Sequence, residues 1–245
     1  MPRTRKRRRG PFPPHPSAHD LVSETVRPRP RVKICGLTRR EDAELAVQLG
    51  ADLVGFVLTR GFGRSVAESD ADALTHGLSA ERVAVLVDEP VARAVALAGS
   101  IDARVVQLHG SESPETVQAV REAGGWRVWK AVRARTLEDV AQAVLHYGSL
   151  VDGMLVEGWR EGVLGGGGAK LAVAPATLRT VLPEGLEFVL AGGLTADSVA
   201  AAIEDFRPDV VDVSSGVEGR PGRKDAAAMR RFVAAAKDPW KGSRL

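Results

Sequence analysis

The chain holds a single cysteine, Cys35, among its 245 residues. That excludes an internal disulfide and suits a reducing compartment. No apolar run reaches the ~18 residues of a membrane span, and the N-terminal segment lacks the apolar stretch of a secretory signal, so a cytoplasmic protein is expected. There is no Walker A pattern, no HExxH and no cysteine cluster, which leaves nucleotide-hydrolase and zinc chemistry without a motif. A basic surface is missing too, although the formal charge is +3. Residues 1–30 contain eight of the 34 basic side chains and two of the 31 acidic ones, leaving 26 basic against 29 acidic in the rest. The sequence pI of about 9.3 thus owes much to the tail. Any contact with nucleic acid would rest on that tail alone.

Residues 1–30 combine the basic block with seven prolines and few apolar groups. They are expected to be a disordered, solvated extension. From Val32 the pattern changes. Eight short apolar runs follow, at 32–34, 53–57, 83–87, 105–108, 128–132, 154–156, 188–190 and 210–213, each succeeded by a helical pattern. The runs are largely apolar instead of strictly alternating, as in strands buried on both faces. Thr38–Glu41 and Thr136–Asp139 fit a capping box, and Ser113-Pro114 places an N-cap before a proline at N1. Eight βα units within 31–240 predict one α/β domain, a closed (β/α)₈ TIM barrel, an architecture of about 250 residues. A hydrophobic fraction of 44% and a mean hydropathy of −0.08 fit a soluble core.

Two of the strand ends carry small residues. Leu190-Ala-Gly-Gly-Leu194 is followed about twenty residues later by Val210–Glu218, which contains Ser214-Ser215-Gly216. Backbone N–H groups of two such turns at the mouth of a parallel barrel can converge on one anion. The pair, centred on Gly192, Gly193, Ser214, Ser215 and Gly216, points to a phosphorylated small-molecule substrate.

Active-site groups of a barrel lie at the C-terminal strand ends. Those positions hold Cys35, Arg64, His109, Glu157 and Asp212. A cation or helix N-terminus beside Cys35 would make its thiol a base or nucleophile; the alternative is a small buried hydrophobe. Glu157 follows apolar residues that withdraw it from water, which favours the neutral, proton-donating acid; it is otherwise a polar strand end. His109 either hydrogen-bonds a substrate or is structural. Lys130, inside the fifth strand, opens a Schiff-base aldolase reading. Gly165–Gly168 is a close-approach loop or a flexible one.

The strings KICGLTRREDAELAVQLGADLVGFV (33–57), VQLHGSE (106–112), AGGL (191–194), VDVSSGVE (211–218) and PGRKD (221–225) resemble the phosphoribosylanthranilate isomerases of tryptophan biosynthesis. The resemblance spans about residues 32–237. It implies an Amadori rearrangement of an aminoaldose to an aminoketose, with no cofactor and no metal. It further implies Cys35 as general base, Glu157 as general acid, Arg64, His109 and Asp212 as substrate contacts, and the two glycine-serine turns as phosphate cradle. A monomer or homodimer is expected, without membrane association.

Three positions depart from the family pattern. Glu157 stands where the family has aspartate, Gly165–Gly168 replaces a loop carrying a hydroxyl and a following aromatic, and Phe62-Gly63-Arg64 replaces Ser-Pro-Arg. All three lie at the mouth. They keep open a diverged enzyme for another phosphosugar or aminoaldose phosphate, or a binder of phosphate ligands that catalyses nothing.

Overall fold

The computed structural model describes residues 29–158 and 171–238. Most of the 1–30 extension and the whole Gly165–Gly168 run lie outside the described residues. Eight parallel strands close into a barrel in chain order: β1 Arg31–Ile34, β2 Leu53–Val57, β3 Glu81–Leu86, β4 Val105–Leu108, β5 Arg127–Ala134, β6 Gly153–Gly158, β7 Glu187–Leu190 and β8 Val210–Val213. Helices α1 Arg40–Gln48, α2 Glu68–Thr75, α3 Val91–Ser100, α4 Pro114–Glu122, α5 Leu137–Tyr147, α6 Pro175–Val181, α7 Val199–Phe206 and α8 Ala226–Lys237 follow them. The expected TIM barrel is present. Among the described residues, no helix is long and apolar enough to cross a membrane.

The largely apolar strands are explained by two separate cores. Val32, Ile34, Val54, Phe56, Val106 and Phe188 pack outward against the helices. Cys35, Leu53, Val83, Val105, Trp129 and Leu155 fill the barrel interior. Successive side chains point to opposite faces of a strand, so both sets of positions must be apolar.

The floor of the barrel is charged. Arg31, Glu81, Arg127 and Glu187 come from alternate strands β1, β3, β5 and β7 and form a ring in which every member meets two others. Arg31 pairs with Glu81 at 3.2 Å and with Glu187, while Arg127 pairs with Glu187 at 3.0 Å and with Glu81. The Trp129 indole N–H donates to Glu187 from the layer above, at 3.0 Å. One further device recurs beneath the strands. Asp52, Asp152 and Asp209, each just before an even-numbered strand, accept the backbone N–H of Val32, Val128 and Phe188 at 2.7–2.8 Å.

Helix starts agree with the sequence at two of three places. Ser113 Oγ accepts from the Thr116 N–H, and Thr136 with Asp139 forms the reciprocal box. The box expected at Thr38 does not form: Arg39 occupies the N-cap with no side-chain cap. The Thr38 hydroxyl donates instead to the Gly222 carbonyl at 2.5 Å. Its partner belongs to a hairpin the sequence pattern did not reveal, β9 Glu218–Arg220 with β10 Arg223–Lys224, preceded by a 3-10 turn at Ser215–Val217. The second glycine-serine strand end therefore leads into this turn and hairpin before its helix.

Candidate active site at the barrel mouth

A cavity of about 270 Å³ opens at the C-terminal ends of the strands. Its wall includes Cys35, Arg64, His109, Glu157, Asp212 and both glycine-serine turns. The thiol, the carboxyl, the three substrate-contact candidates and the two turns named from the sequence thus reach one space. Lys130 does not line it. Its ammonium pairs with Glu112 at 3.0 Å, donates to the Gly110 carbonyl at 2.8 Å and sits over the Tyr147 ring of α5. A lysine on the outer face of β5, held by a carboxylate, is structural, and the aldolase reading is withdrawn.

The two turns are pressed against each other. Gly192 and Gly193 have φ of +89° and +64°, the left-handed region open to glycine at little cost. A Cβ on Gly216 would lie 1.9 Å from the Leu194 carbonyl oxygen. Only a glycine lets the β8 turn close against the β7 turn, and this contact makes them one backbone concavity.

Cys35 follows directly on β1, its N–H donating to the Val213 carbonyl at 2.8 Å. Lys33 lies two residues below on the same inner face, fully buried, with its ammonium 3.0 Å from Asp212. Burial pushes the Cys35 thiol up from its ordinary value. Lys33 pulls it down and Asp212 adds to the rise. The cation expected beside Cys35 is present, but desolvation outweighs it.

On the opposite wall Glu157 is 8% exposed, and one of its carboxylate oxygens meets His109 Nε2 at 3.1 Å. His109 Nδ1 in turn meets the Gln107 amide nitrogen at 2.8 Å. With that amide donating, the imidazole carries its proton on Nε2 and offers it to Glu157. A carboxyl on β6 is thereby fixed by an imidazole just after β4.

Arg64 makes a two-pronged pair with Glu218 at 2.8 and 2.7 Å, and Lys224 reaches the same carboxylate at 3.0 Å. Burial would raise the Glu218 carboxyl, yet Arg64 and Lys224 hold it below the usual carboxylate range. Gly36 makes room for the arginine, since a Cβ there would fall 2.6 Å from Arg64 Cδ. Lys33, Gln107, Glu218 and Lys224 were not singled out from the sequence. Each nevertheless sits inside one of the strings that carry the family resemblance, which was the available signal.

Fold and site together define a (β/α)₈ barrel enzyme whose mouth pairs an anion-binding backbone concavity with a thiol and a carboxyl. The family model described as N-(5'phosphoribosyl)anthranilate (PRA) isomerase matches residues 32–235, and the chain belongs to that family. It is 39% identical to the N-(5'-phosphoribosyl)anthranilate isomerase of Pelobacter propionicus, covering 85% of this chain and 96% of the relative. Identity to the enzyme of Rubrobacter xylanophilus is also 39%, over 84% and 98%. Among solved structures, the phosphoribosyl anthranilate isomerase of Thermotoga maritima superposes with a TM-score of 0.76 at 34% identity, covering 85% of this chain and 98% of that one. A phosphoribosyl anthranilate isomerase in complex with reduced 1-(o-carboxyphenylamino)-1-deoxyribulose 5-phosphate superposes with a TM-score of 0.72 at 33% identity, over 85% and 98%.

Proposed function

We infer that this chain converts N-(5'-phosphoribosyl)anthranilate to 1-(2-carboxyphenylamino)-1-deoxyribulose 5-phosphate in tryptophan biosynthesis, as one catalytic domain over residues 31–240, in the cytoplasm. The observation that carries this reading is the shared cavity: an anion cradle, a thiol and a carboxyl line one space of about 270 Å³.

In this reading the substrate phosphate rests on backbone N–H groups of Gly192, Gly193, Ser214, Ser215 and Gly216, aided by the serine hydroxyls. Arg64, preset by Glu218 and Lys224, faces the anthranilate part, and Asp212 and His109 contact the sugar. Glu157 delivers a proton to the ribose ring oxygen, the C1'–O bond breaks, and the ring opens to an iminium. Cys35, as thiolate, takes the C2' proton, and the electron pair shifts to leave a neutral enolamine. Protonation at C1' and loss of the O2' proton complete the aminoketose. Hydrogen and electrons are redistributed within the substrate, so no external oxidant or reductant enters the balance.

The decisive experiment follows the loss of anthranilate-type fluorescence when the purified protein meets freshly made phosphoribosylanthranilate. Turnover is expected for the wild type and for Glu157→Asp, at different rates. Silence in both would overturn the reading. The cradle has its own test. Gly216→Ala should lower kcat/KM about 100-fold, the scale of a misplacement of about 1 Å, and should weaken competition by inorganic phosphate in parallel. Unchanged inhibition by phosphate would remove the cradle from these turns.

A further inference from the structure

The buried ammonium beneath Cys35 has no assigned task. Lys33 has no side-chain exposure, and an ammonium withdrawn from water this completely must meet anionic or acceptor groups. It lies on the inner face of β1, one pleat below Cys35, because residues two apart share a face. On one flank is Asp212, its register partner on β8, at 3.0 Å. On the other flank is Gly55 of β2. A Cβ on Gly55 would lie 2.9 Å from Cys35 Sγ and 3.2 Å from both Lys33 Cε and Nζ. One missing methyl group thus opens a notch into which sulfur and ammonium both project.

We propose that Lys33 is a positioning residue for the proton-abstracting thiol, its single positive charge shared between the Cys35 sulfur and the Asp212 carboxylate, so that whatever engages Asp212 sets the strength of the base. The proposal rests on the reading of Cys35 as the base. Asp212 lines the cavity, whereas Lys33 is sealed below it. A substrate hydroxyl donating to Asp212 reduces that carboxylate's hold on the ammonium, whose charge then turns to the sulfur. The thiolate forms as substrate seats, not in the empty site.

The charge pattern agrees with this geometry. Burial alone would lower the Lys33 ammonium, yet Asp212 and Cys35 keep it above its ordinary value. Further groups act on the thiol from other elements. Lys224 on β10 favours the thiolate, and Arg64 follows β2 with its charge engaged by Glu218. His109 just after β4 and Glu157 on β6 face it as a hydrogen-bonded pair. Of these, Lys33 exerts the largest pull on the thiol.

The test is the pH profile of Cys35 alkylation by iodoacetamide on the full chain, read by intact mass. Lys33→Met should move the midpoint to higher pH, and a midpoint one pH higher means alkylation about tenfold slower at neutral pH. Asp212→Asn should move it down. Opposite directions from two partners of one ion pair are not produced by a structural role. Should either single variant fail to fold, Lys33→Met/Asp212→Asn strands no charge, and its midpoint should lie above the wild type's. A methyl group at Gly55→Ala should wedge sulfur and ammonium apart, moving the midpoint up and lowering kcat with little change in KM. Profiles that coincide with wild type in the folded variants would overturn the role of Lys33. Wild type that splits from its variants in alkylation yet never turns over phosphoribosylanthranilate would overturn the isomerase reading alone.

Discussion

Replacement of Cys35 by alanine is expected to lower kcat for phosphoribosylanthranilate by about 10³- to 10⁴-fold with KM nearly unchanged. The scale is that of a general base removed from its transition state. The split between constants follows from geometry. The two backbone turns and the Arg64–Glu218 pair, which this reading assigns to the phosphate and the anthranilate, do not depend on the sulfur. Uniform binding therefore survives while the proton-transfer step is lost. Glu157→Gln should cost about 10²- to 10³-fold by the same reasoning. The amide keeps length and shape and can still accept from His109 Nε2, but it has no acidic proton for the ring oxygen. Thermal melting of each variant beside the kinetics checks that the barrel is intact. A Cys35→Ala enzyme with wild-type kcat would remove the thiol from the mechanism.

Lys130→Met should reduce the unfolding free energy by about 3–5 kcal/mol, the range for a buried ion pair broken on one side. The carboxylate left behind is Glu112, 5% exposed. It also accepts the N–H groups of Asp88 and Gly110 at 3.0 Å, so it cannot swing out to water without undoing the turn after β4. Lys130→Met/Glu112→Gln should recover most of the loss, since no charge is then stranded. The pair also sets a pH dependence. Burial would raise the Glu112 carboxyl, but Lys130 and the backbone N–H groups of Asp88 and of Glu112 itself hold it below its ordinary 4.5. A carboxyl depressed by folding contributes its full stability above that ordinary value, and the contribution fades as pH falls through the lower folded value. Urea midpoints measured from neutral to acid pH should therefore decline less steeply in the double variant. Equal slopes in the two proteins would show the pair to be without effect.

The barrel was legible because its physics is repetitive. Strands buried on two faces leave largely apolar runs, and the eight runs from Val32 onward each match a strand to within a few residues. Site residues were legible where they end or directly follow a strand, as Cys35, His109 and Glu157 do, because position alone proposes a role there. The groups that condition them were not. Lys33 and Gln107 sit inside strands where a polar residue breaks an apolar run. Their purpose appears only when closure sets Lys33 beside Asp212, 179 residues away, and Gln107 under His109. The hairpin Glu218–Lys224 escaped for a related reason. Its ladder is two short strands, tied within the hairpin by Lys224 to Glu218 and over long range by the Lys224 N–H to Asp42 in the first turn of α1. The failed cap at Thr38 belongs to the same case, since a hydroxyl able to cap its own helix was claimed by the Gly222 carbonyl across the mouth.

The ionic floor bears on how such a chain could be assembled from parts. Strands β1 to β4 bring Arg31 and Glu81, and strands β5 to β8 bring Arg127 and Glu187. Each half thus contributes no net charge to the floor, its one cation and one anion already paired. When the halves meet, Arg31 gains Glu187 and Arg127 gains Glu81, so joining them buries no net charge at the base. Each half presents the other with the same alternation of signs, and the base of the molecule has the twofold pattern of two equivalent pieces while the catalytic rim does not.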